Sequence, residues 1–128
     1  MGLKILLSAP GLGLSMYILV LEDDPGVGSL YAAALQSDGH RVGLYASFEE
    51  ARKALRQLVP DALLTDVRVG SYNGLHLALL FRSLSENGTI VVVSGHADPV
   101  IADEAKRIPA TFFVKPMDLH TLRSQFAE

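Results

Sequence analysis

Three consecutive acids (Glu22, Asp23 and Asp24), a fourth acid at Asp66, a hydroxyl at Ser94 and an amine at Lys115 all stand at the ends of short apolar runs. Singly, each has an ordinary explanation: a helix cap, a solvated loop or a surface ion pair. Together they describe a chemistry. Carboxylates gathered at one place repel and raise one another's pKa unless a cation neutralises them. With oxygen ligands alone and no cysteine in the chain, the fitting ion is Mg²⁺, which takes a few carboxylates, keeps waters and recruits phosphate oxygens. A phosphoryl group is then the natural guest. Asp66 is the candidate nucleophile, forming an aspartyl phosphate, while the metal, Lys115 and the Ser94 hydroxyl stabilise the three equatorial oxygens.

Such residues, scattered in sequence, meet only if the fold gathers them. From Tyr17 onward the chain repeats a short apolar run, a turn and an amphipathic stretch, the pattern of βα units around a parallel sheet. Five strands are predicted: YILVLE (17–22), RVGLY (41–45), ALLTD (62–66), TIVVVS (89–94) and TFFVK (111–115). Their centres, such as ILV, ALL and VVV, are apolar without alternation, as strands covered on both faces require. Asp24 with Pro25, the capping box Ser47-x-x-Glu50, Asp98 with Pro99, and Asp118 mark helix starts. The third helix, read over Gly74 to Glu86, has no start signal of its own. In a doubly wound sheet, ligands bind beyond the carboxyl ends of the strands, where these chemical residues stand.

The chain has 128 residues, 49% of them hydrophobic and 20% charged, a balance that fits one globular domain and argues against disorder. The net charge is −3 and the cations are dispersed, so direct nucleic-acid binding is not expected. The absence of cysteine fits a reducing cytoplasm, and no apolar run is long enough to span a membrane. Residues 1–16 read as a leader or an appended tail outside the fold, with the domain running from 17 to 128. Lys4 and the run Ile5 to Leu7 are too short for a signal peptide. Gly11-x-Gly13 precedes a strand instead of following one, and so fails the context of a nucleotide-binding loop.

The ordered set ILVLEDDP (18–25), LLTDVRVGSYNG (63–74), VVVSGHAD (91–98) and FFVKP (112–116) resembles the receiver domain of bacterial two-component response regulators, from Tyr17 to Phe126. The resemblance implies an α/β, flavodoxin-like, doubly wound (βα)5 fold with a five-stranded parallel sheet in the order 2-1-3-4-5. It implies that Asp66 is the phosphoacceptor and that Glu22 and Asp23 serve Mg²⁺, Asp23 more directly, together with Asp66 and the backbone carbonyl of Arg68. Ser94 and Lys115 take the family's hydroxyl and lysine positions, Pro116 its usual cis proline, and Phe112 its aromatic switch position.

The chain also departs from the family pattern. Gly70 stands where proline is common, predicting a more mobile loop, and Phe112 lacks a tyrosine hydroxyl, predicting inward packing. Pro99 and Pro109 predict a short or irregular fourth helix. His40, His76, His96 and His120 have no metal-like spacing and most of them read as surface or cap residues; His96 alone is near the site. Arg52, Lys53 and Arg56 read as a solvated face balanced by Glu49 and Glu50.

The functional expectation is a signalling receiver, not an enzyme. It takes a phosphoryl group from a partner histidine kinase or histidine phosphotransfer protein, hydrolyses it slowly, and switches a surface for a downstream protein, a fused output domain or a homodimer partner. One rival is a phosphorylation-independent pseudo-receiver. The other is an aspartyl-phosphate phosphatase, which needs an acid two residues after its nucleophile, where this chain has Arg68.

Overall fold

Apolar runs that do not alternate must be covered on both faces. The computed structural model describes residues 15–127 and shows this for three central strands. In β1 (Tyr17–Leu21), β3 (Ala62–Asp66) and β6 (Thr89–Ser94), every residue is buried except the first of β1 and of β6. The edge strands β2 (Arg41–Tyr45) and β7 (Thr111–Val114) are half-exposed. All five pair in parallel in the order β2-β1-β3-β6-β7. Counting only these five, the order is 2-1-3-4-5, the doubly wound arrangement expected.

Successive strand residues point to opposite faces, and the core divides accordingly. Leu19, Leu21, Leu63, Ile90 and Val92 face α2 (Phe48–Gln57), α3 (Gly74–Leu84) and α4 (Pro99–Arg107), packing with Leu55, Phe81 and Ala105. Ile18, Val20, Leu64, Val91 and Val93 face α1 (Pro25–Ser37) and α5 (Leu119–Gln125), packing with Tyr31, Leu35 and Leu122. Each fully buried leucine contributes roughly 1.5–3 kcal/mol, so both layers hold the strand ends in fixed register.

The helix caps act as the sequence indicates. Asp24, Ser47, Asp98 and Asp118 each accept backbone N–H groups of the helix that follows. The third helix does have a cap: the Asn73 side chain accepts the Leu75 N–H at 2.8 Å. Gly39, at φ +93°, turns the chain after α1. α4 runs nine residues, with Pro99 as its first residue and Pro109 directly after its C-cap Ile108. The Lys115–Pro116 bond is cis, as the resemblance implied, and so is Ile108–Pro109.

Two short strands were not foreseen. β4 (Arg68–Val69) and β5 (Tyr72–Asn73) form an antiparallel hairpin directly after Asp66. Its first turn residue is Gly70 at φ +61°, a value closed to proline, whose ring fixes φ near −65°. The glycine therefore makes a tight turn.

His40 is the one histidine that is not at the surface. It is buried, and its Nδ1 accepts the Met16 N–H at 3.1 Å, while His76, His96 and His120 are exposed. Arg52 pairs with Glu49, as read from the sequence. Arg82 joins two loops: its guanidinium donates to the carbonyls of Ser85, Glu86 and Gly88 and, across the fold, to that of Pro109. No described helix is long and apolar enough to cross a membrane. Gly11-x-Gly13 and most of the 1–16 tail lie outside the described residues.

Candidate functional site

The register sets the site. Leu21 pairs with Thr65, Asp66 with Val93, and Ser94 with Val114, so the acids, the serine and the lysine emerge along one edge of the sheet. Glu22 and Lys115 each stand one residue beyond their strands. Their backbone N–H groups still bond to the neighbouring strands, at Tyr45 and Ser94, which fixes where their side chains start.

Lys115 reaches from the edge strand β7 past β6 to the acids. Its Nζ lies 2.7 Å from Glu22 Oε1 and 3.2 Å from Asp66 Oδ2. Glu22 is 2% exposed, and its other oxygen accepts the Asp24 N–H at 3.0 Å, so both oxygens are engaged. Asp66 is buried and Asp23 is exposed. Burial first, and then the Glu22 charge, push the Asp66 carboxyl up to about 6, against the lowering effect of Lys115. Burial alone would lower the lysine's pKa, but Glu22 and Asp66 more than offset this and raise it.

The geometry fits a hard divalent cation. One oxygen from each of Glu22, Asp23 and Asp66 lies within 4.8 Å of the others. Among the described residues, Lys115 is the one cation in ion-pair contact with these acids. Three carboxylates and one ammonium leave two negative charges, an all-oxygen donor set suited to Mg²⁺ or Ca²⁺. In the hairpin, Gly74 N–H donates to the Val67 carbonyl. Antiparallel bonding alternates, so the Arg68–Asn73 pair is the non-bonded one and the ladder leaves the Arg68 carbonyl unused.

Ser94 is buried, and its Oγ accepts the His96 N–H at 3.1 Å, leaving its hydroxyl proton free to donate. A cleft of about 250 Å³ opens beside it, lined by Arg68, Tyr72 and His96 among others. Phe112 is half-buried against the α2–α4 side of the core, the inward packing expected.

Sequence reasoning placed Gly74 at the turn into the third helix without a packing role, and overlooked Tyr31. Gly74 is packed so closely that an added Cβ would overlap the Asp66 carbonyl. Its place between a polar loop and an apolar helix was the only signal. Tyr31 on α1 is buried and feels the charges of Lys115, Glu22 and Asp66, with burial the main cause of its raised pKa. A tyrosine at helical spacing gives no hint of this.

Residues 18–127 match the family model of the response regulator receiver domain. The chain belongs to this family. Among curated relatives, this receiver is 22% identical over 107 residues to sporulation initiation phosphotransferase F of Bacillus subtilis, covering 83% of this chain and 86% of that one. It is 30% identical over 105 residues to the transcriptional regulatory protein FixJ of Azorhizobium caulinodans, covering 81% of this chain but only 50% of FixJ. It likewise spans 25% of the transcriptional regulatory protein PgtA of Salmonella typhimurium.

Solved structures share the receiver fold. A CheY-like receiver domain protein from Methanospirillum hungatei superposes with a TM-score of 0.81 at 19% identity, covering 87% of this chain and 90% of that one. A response regulator from Burkholderia pseudomallei, described with a phosphorylated aspartic acid, calcium ion and citrate, gives 0.78 at 23% identity, covering 85% and 65%.

Proposed function

We propose that this receiver accepts a phosphoryl group on Asp66 in a Mg²⁺-dependent reaction, from a phosphohistidine of a partner kinase or phosphotransfer protein. The observation that carries this reading is a buried Asp66 carboxyl, 3.2 Å from Lys115, in an oxygen-only pocket that retains two uncompensated negative charges.

Attack by an Asp66 carboxylate oxygen forms the new O–P bond as the N–P bond of the donor breaks. The bonding pair returns to the imidazole nitrogen, which takes up a proton. Asp23, Asp66 and the Arg68 carbonyl would hold the ion, with Glu22 behind them gripping Lys115 and the Asp24 N–H. When bound, the ion neutralises the acids and the phosphoryl oxygens. Lys115 and the Ser94 hydroxyl donate to the remaining oxygens. Water on the same path returns the acid slowly.

The added charge draws Ser94 and Lys115 toward Asp66 and biases the packing of Phe112, changing the surface over β7 and its flanking helices. One solved relative is described as a beryllofluoride-activated receiver domain dimer. By analogy, the switched surface binds a second copy or a downstream domain. A hairpin carrying exposed Arg68, and no acid, two residues after Asp66 disfavours phosphatase chemistry.

Acetyl phosphate with Mg²⁺ should add one phosphoryl group by intact mass, and Asp66→Asn should add none. An unmodified wild type would overturn the reading.

A further inference from the structure

Cross-strand partners share a face. In the hairpin, Val69 and Tyr72 therefore point one way and Arg68 and Asn73 the other. Val69 is buried in the same core cluster as Phe48, the first residue of α2. Tyr72 lies flat on Phe48, with ring centroids 4.8 Å apart and ring planes 7° from parallel.

At the tip, a Cβ at Gly70 would meet no atom within 4 Å. A two-stranded hairpin this short is barely stable by itself. Its position is set by its roots, where Val67 N–H donates to Val93 O and Gly74 N–H to Val67 O, and by the aromatic stack on α2.

We propose that Tyr72, by stacking on Phe48, is a positioning residue for the cation site, holding the β4–β5 hairpin so that the Arg68 carbonyl is presented to the ion. This deepens the proposed function and rests on it for the identity of the ion. Tyr72 is not among the clustered acids Glu22, Asp23 and Asp66. It orders the backbone ligand in advance, and that ordering would otherwise be charged against the binding free energy.

The experiment is a Mg²⁺ titration of the intact chain, read by backbone-amide NMR shifts of residues 66–74, on wild type, Tyr72→Ala and Tyr72→Phe. Circular dichroism reports whether each variant is folded. The stack predicts that Tyr72→Ala binds Mg²⁺ roughly two- to tenfold more weakly, and that Tyr72→Phe, which keeps the ring face, matches wild type. Wild-type affinity in Tyr72→Ala, or an equal loss in Tyr72→Phe, would overturn the proposal. An absence of Mg²⁺-dependent shifts in wild type would instead remove the cation reading itself, and so separates the two failures.

Discussion

Lys115 is bonded more closely to Glu22 than to Asp66, at 2.7 Å against 3.2 Å. The buried glutamate thus holds the lysine in the resting site and supplies part of the charge that keeps Asp66 hard to ionise.

Replacing the lysine should expose this dependence. Lys115→Met leaves Glu22 and Asp66 buried beside each other without a cation. The metal-free protein should lose about 2 kcal/mol in urea unfolding, less than a fully buried pair because the lysine is 26% exposed. Phosphorylation by acetyl phosphate should fall at least tenfold. Unchanged stability would mean that the pair is not coupled as the distances indicate.

Asp66 gives a pH dependence of definite sign. Its folded pKa, raised to about 6, exceeds its ordinary value of 3.8, so between these pH values the folded state holds more protons than the unfolded. Metal-free stability should therefore fall as pH rises through this window, by on the order of 2 kcal/mol. Asp66→Asn should remove that fall and be more stable than wild type at pH 7, with the advantage shrinking as pH falls from about 6 to about 4 and gone below that. Urea melts across pH with chelator present are the measurement; parallel pH profiles for the two proteins would refute it.

Gly74→Ala should cost more than 2 kcal/mol, roughly the scale of a severe steric clash with backbone, because its methyl would overlap the Asp66 carbonyl. Gly95→Ala is the control. A Cβ there meets no atom within 4 Å, so its unfolding midpoint should be near wild type. Equal midpoints for the two variants would contradict the packing.

Arg82→Ala should release the loops it joins. Hydrogen exchange should quicken at residues 85–88 and 109–110, and stability should fall by on the order of 2 kcal/mol. Arg82→Lys should recover little, because an ammonium cannot match the fork that spans Ser85, Gly88 and Pro109. Full protection in the alanine variant would show the bonds to be dispensable.

Much of the fold was legible because its signals are local. Unbroken apolar runs marked β1, β3 and β6, Asp24 and Ser47 announced their helices, and the strand ends placed Glu22, Asp66, Ser94 and Lys115 on one edge. The hairpin was not legible, because two-residue strands carry no periodicity. Its signal was the turn itself, Val69-Gly70-Ser71-Tyr72, with a glycine at the first central position. The burial of His40 and the preference of Lys115 for Glu22 depend on how side chains meet across strands, and no spacing in the sequence records that.

Glu22 and Lys115 are 93 residues apart, and Asp66 and Lys115 are 49 apart. During synthesis Asp66 leaves the ribosome well before its lysine does, and until β7 docks the acid has neither its cationic partner nor Ser94 fixed beside it. On the proposed function, the phosphoacceptor site is therefore completed only when β7 joins the sheet. If Asp66 accepts a phosphoryl group as proposed, a newly made molecule stays silent to its phosphodonor until the sheet is complete, and one whose far edge frays becomes silent again without losing any of its acids.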